Sequence, residues 1–322
     1  MHVYQACLSS TRKSVANEEG LSQSTVKEIF NFYTGIKHLS AASHATRVFG
    51  IDEISVKKRH RQFFLVISDI DRKRLLAVLS NRDKKTLEDW IDSLNSEERK
   101  SIRFVSLDMW KPYSQAVRKK LPHARVVADR FHVMKQLNAR LTQLRTKYQK
   151  ESSDEIRKVI KGSRCILVRN RSELSQDRAD HLDEILRLCP ELRRLYLLKE
   201  EFHTIFEKIR YKEKAARFLD VWILKAESTG DKYLRKFIGT FKNWREQILN
   251  YFIERITNGF VEGLNNGLRT MIRRAFGFRN LANFRAQALA QFAGFQDFTL
   301  IRDEPKYLSY PMEKINRAIK TS

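Results

Sequence analysis

Three acidic residues, far apart in the chain, have the types and surroundings expected of a site for divalent cations. Asp52 interrupts the apolar run VFGIDEISV, Asp108 follows the run IRFVSL, and Glu262 is the one acid of the basic segment NGFVEGLNNGLRTMIRR. An acid within an apolar run is costly to bury without a partner, so a metal or functional role is favoured. Magnesium binds hard oxygen ligands, and two carboxylates can share an ion that one would hold weakly. Asp52 and Asp108 are therefore predicted to bind a divalent cation, with Glu262 as the candidate for a third ligand.

The hydrophobic pattern predicts the strands and helices that position these acids. Three runs rich in Val, Ile, Leu and Phe, separated by short links, predict strands in hairpin order at residues 48–56, 62–70 and 74–81. The chain then alternates, with helices at 83–94 and 111–121 and strands in SIRFVSLDM and ARVVADRF. This order is typical of a ribonuclease H-like α/β fold, whose mixed sheet has the strand order 3-2-1-4-5. The strands of Asp52 and Asp108 would then be neighbours, about 4.8 Å apart.

Two residues near the fifth predicted strand are candidates for supporting positions around the metal ligands. Asp129 ends that strand and competes with Asp108 for the place of the second acid. It lies one strand further from Asp52, so Asp108 is preferred and Asp129 is expected to be a neighbour of the site rather than a ligand. His132 is either a proton shuttle or phosphate ligand, or a histidine at a helix start that bonds to the backbone. We place both beside the metal ligands.

The segment 254–280 has helical periodicity with two distinct faces. Its polar face follows the spacing i, i+4, i+7, i+11, with Glu262, Asn266, Arg269 and Arg273. Its apolar face, predicted to lie on the sheet, consists of Phe260, Leu264, Leu268 and Met271. A glycine costs about 1 kcal/mol in a helix, so a glycine stripe indicates close approach of another backbone or of DNA. That stripe is Gly259, Gly263 and Gly267.

The polar residues of this helix have competing interpretations. Asn266, a candidate supporting residue, and its neighbour Asn265 either orient Glu262 or contact DNA, or are merely solvated. The arginines are predicted to hold DNA phosphates near the metal ions: Arg269, Arg273, Arg274 and Arg279. The FGFR run that ends with Arg279 could stack on bases or grip the backbone, although a helix cap at Gly277 explains its glycine equally well.

The charge balance indicates a polyanionic partner. Lys and Arg number 62 against 38 Asp and Glu, for a formal net charge of +24, and such an excess attracts nucleic acid in a salt-dependent manner. Near the N-terminus, Ala16, Gly20 and Val26 have the small–turn–apolar spacing of a helix-turn-helix, although an ordinary turn between two helices has the same pattern. The second helix of that motif would present three residues to a DNA major groove: Ser24, Thr25 and Lys27.

Cysteine usage and hydropathy predict a cytoplasmic protein without a membrane partner. Cys7, Cys165 and Cys189 form no CxxC pair, so neither a zinc ribbon nor a disulfide framework is supported. No run approaches the roughly 20 apolar residues that span a bilayer. The N-terminus lacks the apolar core of a signal peptide.

Four segments carry a resemblance to a known family: GIDE, VSLDMWKPYSQAV, ARVVADRFHVMK and NGFVEGLNNGLRTMIRRAFGFRN. Together they resemble the DDE domain of bacterial insertion-sequence transposases of the ISL-three family, over roughly residues 45–295. The DRFHV and NGxxEGxNN blocks are more specific than any lone acid. The resemblance implies a ribonuclease H-like domain interrupted by an all-helical insertion before the last acid. It also implies a phosphoryl-transfer site in which Asp52, Asp108 and Glu262 are catalytic and hold two Mg²⁺ or Mn²⁺ ions.

This resemblance implies DNA-mediated transposition, in which strands are cleaved at the ends of an insertion sequence and joined to a target. The partners would be double-stranded DNA of the terminal inverted repeats and of the target, bound by a homodimer or larger assembly at the bacterial nucleoid. The expected organisation is a helix-turn-helix segment at 1–45, a catalytic domain in two parts at 46–150 and 251–300, a helical insertion at 151–250 and a tail at 301–322.

The N-terminal region departs from the family pattern. These transposases usually begin with a cysteine-rich zinc-binding module, whereas here Met1 lies just upstream of the helix-turn-helix and Cys7 is the sole cysteine of that segment. The chain therefore resembles a truncated copy or a short variant. The alternative function is that of a non-catalytic DNA-binding remnant of a transposase, acting as a binding protein or repressor.

Overall fold

A computed structural model describes residues 1–42, 45–57, 62–275, 277–278 and 280–293. Its strands are β1 Val48–Lys57, β2 Gln62–Asp69, β3 Arg74–Leu79, β4 Phe104–Leu107 and β5 Arg125–Ala128. They form a five-stranded sheet in the order β3-β2-β1-β4-β5. The predicted strands and their order are therefore confirmed, and the fold class is mixed α/β.

Helices account for most of the remaining described chain. In chain order they are α1 His2–Ser9, α2 Arg12–Glu18, α3 Gln23–Ala42, α4 Lys84–Ser93, α5 Ser96–Ser101, α6 Lys111–Lys120, α7 Arg130–Glu151, α8 Asp154–Ile160, α9 Arg164–Val168, α10 Gln176–Leu188, α11 Pro190–Lys208, α12 Lys212–Ser228, α13 Lys232–Glu254, α14 Gly259–Arg274 and α15 Leu281–Phe292. A short 3-10 helix covers Arg171–Glu173. Among the described residues, no helix is both long enough and apolar enough to cross a membrane.

Contacts divide the chain into two compact units. The first contains Met1–Ala124 together with the residues from Asn258 onward, and the second contains Arg125–Thr257. In the first unit, β1 pairs antiparallel with β2 and parallel with β4, and β2 pairs antiparallel with β3. The consecutive strands β1, β2 and β3 are thus antiparallel neighbours, as the short links between the apolar runs predicted.

The two faces of β1 are covered by different helices of the first unit. On one face, Ile54 packs into a core with residues of α14. The α14 side of that core contains Leu264, Leu268 and Met271, with Phe260 packed against it. On the opposite face, Phe49 contacts Trp90 of α4 at 5.4 Å between ring centroids. The predicted apolar face of α14 is therefore confirmed, and α14 lies on the sheet as expected.

The N-terminal helices pack against α15. Tyr4 of α1 and Phe30 of α3 are fully buried and share a core with Ala290 of α15. The last carbonyl groups of α1 accept hydrogen bonds from α15 and α14 side chains: Cys7 from Gln287 at 3.1 Å, Leu8 from Gln291 at 3.0 Å and Ser9 from Arg274 at 3.3 Å. These bonds satisfy carbonyls that have no partner within a helix end.

The second unit begins with β5 and is otherwise helical. An aromatic cluster forms its core, with Phe202, Phe206, Trp222, Phe237 and Phe241 all at most 1% exposed. The α13 helix is tied to β5 because Asn250 Nδ2 donates to the Val126 carbonyl at 2.9 Å. Each of these large side chains buries a large apolar area.

Candidate functional site

Asp52 lies on the face of β1 that α14 covers. Side chains alternate along a strand, so Gly50, Asp52 and Ile54 share this face. At Gly50 the contact is so close that an added Cβ atom would lie 2.6 Å from Val261 Cγ2. Because Gly50 has no side chain, α14 can lie close to β1 at this point, which is two residues before Asp52 in the chain.

Asp108 is the first residue after β4. The parallel register pairs Gly50 with Ser106 and Ile51 with Leu107, so Asp52 and Asp108 are the next residues on the two neighbouring strands. Adjacent strands are separated by about 4.8 Å. Both aspartates are partly buried. The register therefore places the backbones of these two aspartates next to each other at the end of β4.

Asn265 of α14 contacts Asp52 directly. Its Nδ2 donates to Asp52 Oδ2 at 2.5 Å, while the backbone N–H of Glu53 donates to Asp52 Oδ1 at 2.7 Å. Asn265 is 1% exposed, and its Oδ1 is buried with no hydrogen-bond partner in the described part of the chain. The carboxylate of Asp52 is therefore oriented from both sides.

Glu262 lies in the first turn of α14 and is exposed. It follows Val261, the residue in contact with Gly50, and precedes Asn265 by three positions. Residues three apart on a helix are neighbours on its surface. Glu262 therefore lies next to Asn265 on the helix surface, on its solvent-exposed side, and Asn265 in turn contacts Asp52. An acid in the first turn is also favourable to the helix dipole, whatever its other role.

Asn258 lies at the start of α14, one helical turn before Glu262 and on the same side of the helix. It is 6% exposed, and both its Nδ2 and its Oδ1 are buried with no partner among the described residues. Asn266, by contrast, is exposed, and its Oδ1 accepts a hydrogen bond from Arg269 Nη1 at 2.9 Å. The asparagine in contact with a predicted metal ligand is thus Asn265, whereas Asn266 faces solvent.

The glycines of α14 do not have one common explanation. A Cβ atom on Gly267 would lie 2.8 Å from Phe292 Cε1 of α15, so this glycine admits an aromatic ring. A Cβ atom on Gly263 would meet nothing within 4 Å. The close packing of Phe292 therefore explains the glycine at position 267. The surface at Gly263 is open, and the close approach of DNA there stays a prediction.

Asp129 and His132 form a hydrogen-bonded pair in the second unit. His132 Nδ1 lies 2.8 Å from Asp129 Oδ2, and Asp129 is 3% exposed at the N-terminal end of α7. A carboxylate bonded to one ring nitrogen fixes the tautomer and the ring orientation of the histidine.

The residues predicted to bind DNA near the N-terminus differ in exposure. Ser24 and Lys27 are exposed on α3, which follows a turn at Gly20 with φ of +63°. Thr25 is 9% exposed, and its backbone N–H donates to Ser22 Oγ at 3.1 Å. The cap that Ser22 places on α3 turns Thr25 inward, so the structure does not present it with Ser24 and Lys27.

The predicted phosphate-binding arginines lie at the C-terminal half of α14. Arg269, Arg273 and Arg274 are exposed. Arg273 Nη2 donates to Thr270 Oγ1 at 3.1 Å, and Arg274 Nη2 bonds to the Ser9 carbonyl described above. Arg279 is outside the described residues.

Comparison with known proteins shows which family the chain resembles over most of its length. The model of the ISL-three (ISL3) DDE transposase family, described simply as transposase, matches residues 49–288. The chain is 28% identical over 258 residues to the transposase for insertion sequence element IS1001 of Bordetella parapertussis, covering 76% of this chain and 60% of that relative. It is 29% identical over 271 residues to the transposase for insertion sequence element IS1557 of Mycobacterium tuberculosis, covering 77% of this chain and 60% of that relative.

The chain thus spans 60% of the length of these curated relatives. The family match extends over well more than half of the chain and contains Asp52, Asp108, Asn265 and Glu262. The chain belongs to the ISL-three family of DDE transposases.

Proposed function

We propose that this protein catalyses metal-dependent cleavage and strand transfer of DNA at the ends of an insertion sequence. The observation that carries the proposal is that Asp52 and Asp108 directly follow Ile51 and Leu107, the last register pair of the parallel strands β1 and β4, beside the helix that carries Glu262. The sheet order β3-β2-β1-β4-β5 supports a ribonuclease H-like assignment for the catalytic domain.

The donor set suits a hard divalent cation. Every side-chain ligand proposed is a carboxylate oxygen, from Asp52, Asp108 and Glu262, and oxygen ligands suit Mg²⁺ or Mn²⁺. The Asn265 side chain contacts Asp52, and its buried Oδ1, which has no hydrogen-bond partner in the described part of the chain, is a further oxygen. When bound, two such ions would activate the attacking oxygen and stabilise the leaving oxygen of the phosphodiester. No covalent protein–DNA intermediate is required.

The protein groups around the acids have separable tasks. Asn265 and the Glu53 N–H hold the Asp52 carboxylate in one orientation. Glu262 lies on the exposed side of α14 and would complete the ligand set when DNA is bound. Arg269 and Arg273 would hold phosphates close to the acids, because exposed guanidinium groups bind phosphate oxygens well.

DNA binding is proposed to involve the N-terminal helices as well. Helices α2 and α3 with the turn at Gly20 would act as a helix-turn-helix, with Ser24 and Lys27 toward the major groove. The formal net charge of +24 supports an extended contact with the DNA backbone. Because two element ends must be cut, the protein is expected to act as a dimer or larger assembly.

A nicking assay tests the proposal. Duplex DNA containing an element end is incubated with Mg²⁺ and with the wild type, Asp52→Ala or Glu262→Gln, and both nicked and joined products are quantified. We expect Asp52→Ala to lose cleavage at least about 100-fold, since it removes a ligand that acts in the transition state. Glu262→Gln should lose cleavage while binding DNA as tightly or more tightly, because it removes one negative charge near phosphate.

The outcomes distinguish the alternatives. Metal-independent DNA binding without cleavage, unchanged by Asp52→Ala, would indicate the non-catalytic remnant instead. Nicked products without joined products would indicate a nuclease that lacks strand transfer. Normal cleavage by Glu262→Gln would show that the third acid is a different residue.

A further inference from the structure

Asn265 is a buried amide whose two ends have different surroundings. Its Nδ2 is 2.5 Å from Asp52 Oδ2, whereas its Oδ1 is buried with no hydrogen-bond partner among the described residues. The residue is 1% exposed, so bulk water does not reach the side chain freely. Buried polar atoms in folded proteins are nearly always paired, and an orphaned acceptor therefore calls for a ligand.

The orientation of the amide follows from the chemistry of its partner. An ionised carboxylate only accepts hydrogen bonds, so the group that faces Asp52 must be the NH₂ end. The carbonyl oxygen is consequently the end of the amide that does not donate to Asp52. It cannot be satisfied by rotating the amide, since rotation would put two oxygens against each other.

Asn258, two helical turns before Asn265, does not have the same significance. Both its side-chain atoms lack partners in the described chain, and its bond to an acid is a backbone bond, in which its carbonyl accepts from the Glu262 N–H at 2.9 Å. Among the described residues, Asn265 is the asparagine that combines an orphaned oxygen with a side-chain bond to the carboxylate of a proposed metal ligand.

We infer that Asn265 Oδ1 is a ligand of the cation that Asp52 binds, so that one amide both orients the carboxylate and contributes a neutral oxygen. Asparagine carbonyls are common ligands of hard cations. The inference rests on the proposed function, because it requires the metal site at Asp52. It assigns a further ligand on α14, three residues after Glu262.

Metal binding by substituted proteins tests this assignment without relying on activity. Mn²⁺ binding is measured by electron paramagnetic resonance, and the rise of Tm on addition of Mg²⁺ is measured by thermal unfolding. The variants are Asn265→Leu, which removes both ends of the amide, and Asn265→Asp, which keeps an oxygen and loses the donor. Asn266→Leu is the matched control, since Asn266 is exposed on the same helix.

We expect Asn265→Leu to weaken Mn²⁺ binding at least about tenfold. Asn265→Asp should have a lower Tm than the wild type without metal, because two carboxylates would then face each other. It should bind Mn²⁺ as tightly as the wild type or more tightly, and gain a larger rise of Tm with Mg²⁺, because the cation relieves that repulsion. Asn266→Leu should match the wild type in both measurements.

Two results would overturn the assignment. Equal weakening by Asn265→Leu and Asn265→Asp would mean that the amide acts only by donating to Asp52. Wild-type affinity in both variants would mean that it has no part in metal binding. If the wild type itself binds neither ion, the metal site of the proposed function fails, and that result is distinct from a failure confined to the Asn265 variants. Because Asn265→Asp keeps the size of the side chain, it remains informative even if Asn265→Leu does not fold.

Discussion

The close contact between Gly50 and Val261 makes a quantitative prediction about how α14 is held on the sheet. A Cβ atom on Gly50 would lie 2.6 Å from Val261 Cγ2, 2.7 Å from Ser68 Oγ and 3.1 Å from Ile70 Cδ1. Carbon atoms in contact are normally about 3.5–4.0 Å apart, so Val261 must move by roughly 1 Å. Valine is stiff at χ1, and it cannot yield by a small rotation. We therefore expect Gly50→Ala to lower the free energy of unfolding by about 1–3 kcal/mol.

The same substitution should disturb the site, because Asp52 is two residues after Gly50 and Asn265 is four residues after Val261. Moving α14 away from β1 would lengthen the 2.5 Å bond between Asn265 and Asp52. Urea unfolding followed by circular dichroism gives the stability change. Mn²⁺ binding, measured on the folded protein, should weaken in parallel.

Two further variants identify the cause. Val261→Ala removes the methyl group that clashes, so in the double variant the cost of Gly50→Ala should fall by at least about 0.5 kcal/mol, as expected for residues in direct contact. Gly263→Ala is the matched control on α14, since its Cβ would meet nothing within 4 Å. It should raise the free energy of unfolding by about 0.5–1 kcal/mol through helix propensity alone. If Gly50→Ala is as stable as the wild type, or if its cost is unaffected by Val261→Ala, the reasoning about this contact is wrong.

Two other predictions concern a buried tyrosine and the exposed arginines. Burial, and then the Glu53 carboxylate, raise the pKa of Tyr113, whose hydroxyl donates to Glu53 Oε1 at 2.9 Å. A raised folded-state pKa gives stability that is present below the unfolded pKa of about 10 and is lost as pH rises above it. Between about pH 9 and about pH 11, the free energy of unfolding should therefore fall less steeply with pH in Tyr113→Phe than in the wild type. An equal slope in the two proteins would contradict this. Arg269→Ala and Arg273→Ala should each reduce the slope of log affinity against log salt by about 1 in DNA-binding assays. Arg245→Ala, whose guanidinium is already paired with a carboxylate at 2.7 Å, is the control and should leave the slope unchanged.

The strands could be predicted because their signals are local. Each of the first three is a short apolar run bounded by a turn-like link, and short links favour antiparallel pairing of consecutive strands. The confirmed order then makes β4 the other neighbour of β1. Asp52 and Asp108 could be selected from sequence because each is an acid at or next to such a run.

The side chains around Asp52 could be predicted less completely. The polar face read from Glu262, Asn266 and Arg269 favoured Asn266, and the spacing alone did not separate it from Asn265. The signal that could have done so is the spacing Val261, Asn265, Leu268, which follows the buried positions i, i+4 and i+7. Asn265 is polar, however, and only its contact with Asp52 explains why it is buried.

Thr25 illustrates the same limit at the N-terminus. The spacing of Ala16, Gly20 and Val26 predicted a turn followed by a second helix, and Ser22 caps that helix, α3. A rotation of α3 about its axis by one residue position decides whether Thr25 faces solvent or the core. That rotation depends on how α3 packs against α1 and α15, which the turn pattern does not contain.

The sequence by itself determined the strands, the apolar face of α14 and the basic charge, and it predicted which acids would bind a divalent cation, because these are properties of residue types and short spacings. Only the tertiary structure decided that Asn265 is the residue that orients Asp52. The two residues are 213 positions apart, and their contact depends on the bare backbone at Gly50, the rotation of α14 set by its core residues and the register of β1. Such a contact results from packing over many residues at once, which no local pattern of the chain specifies.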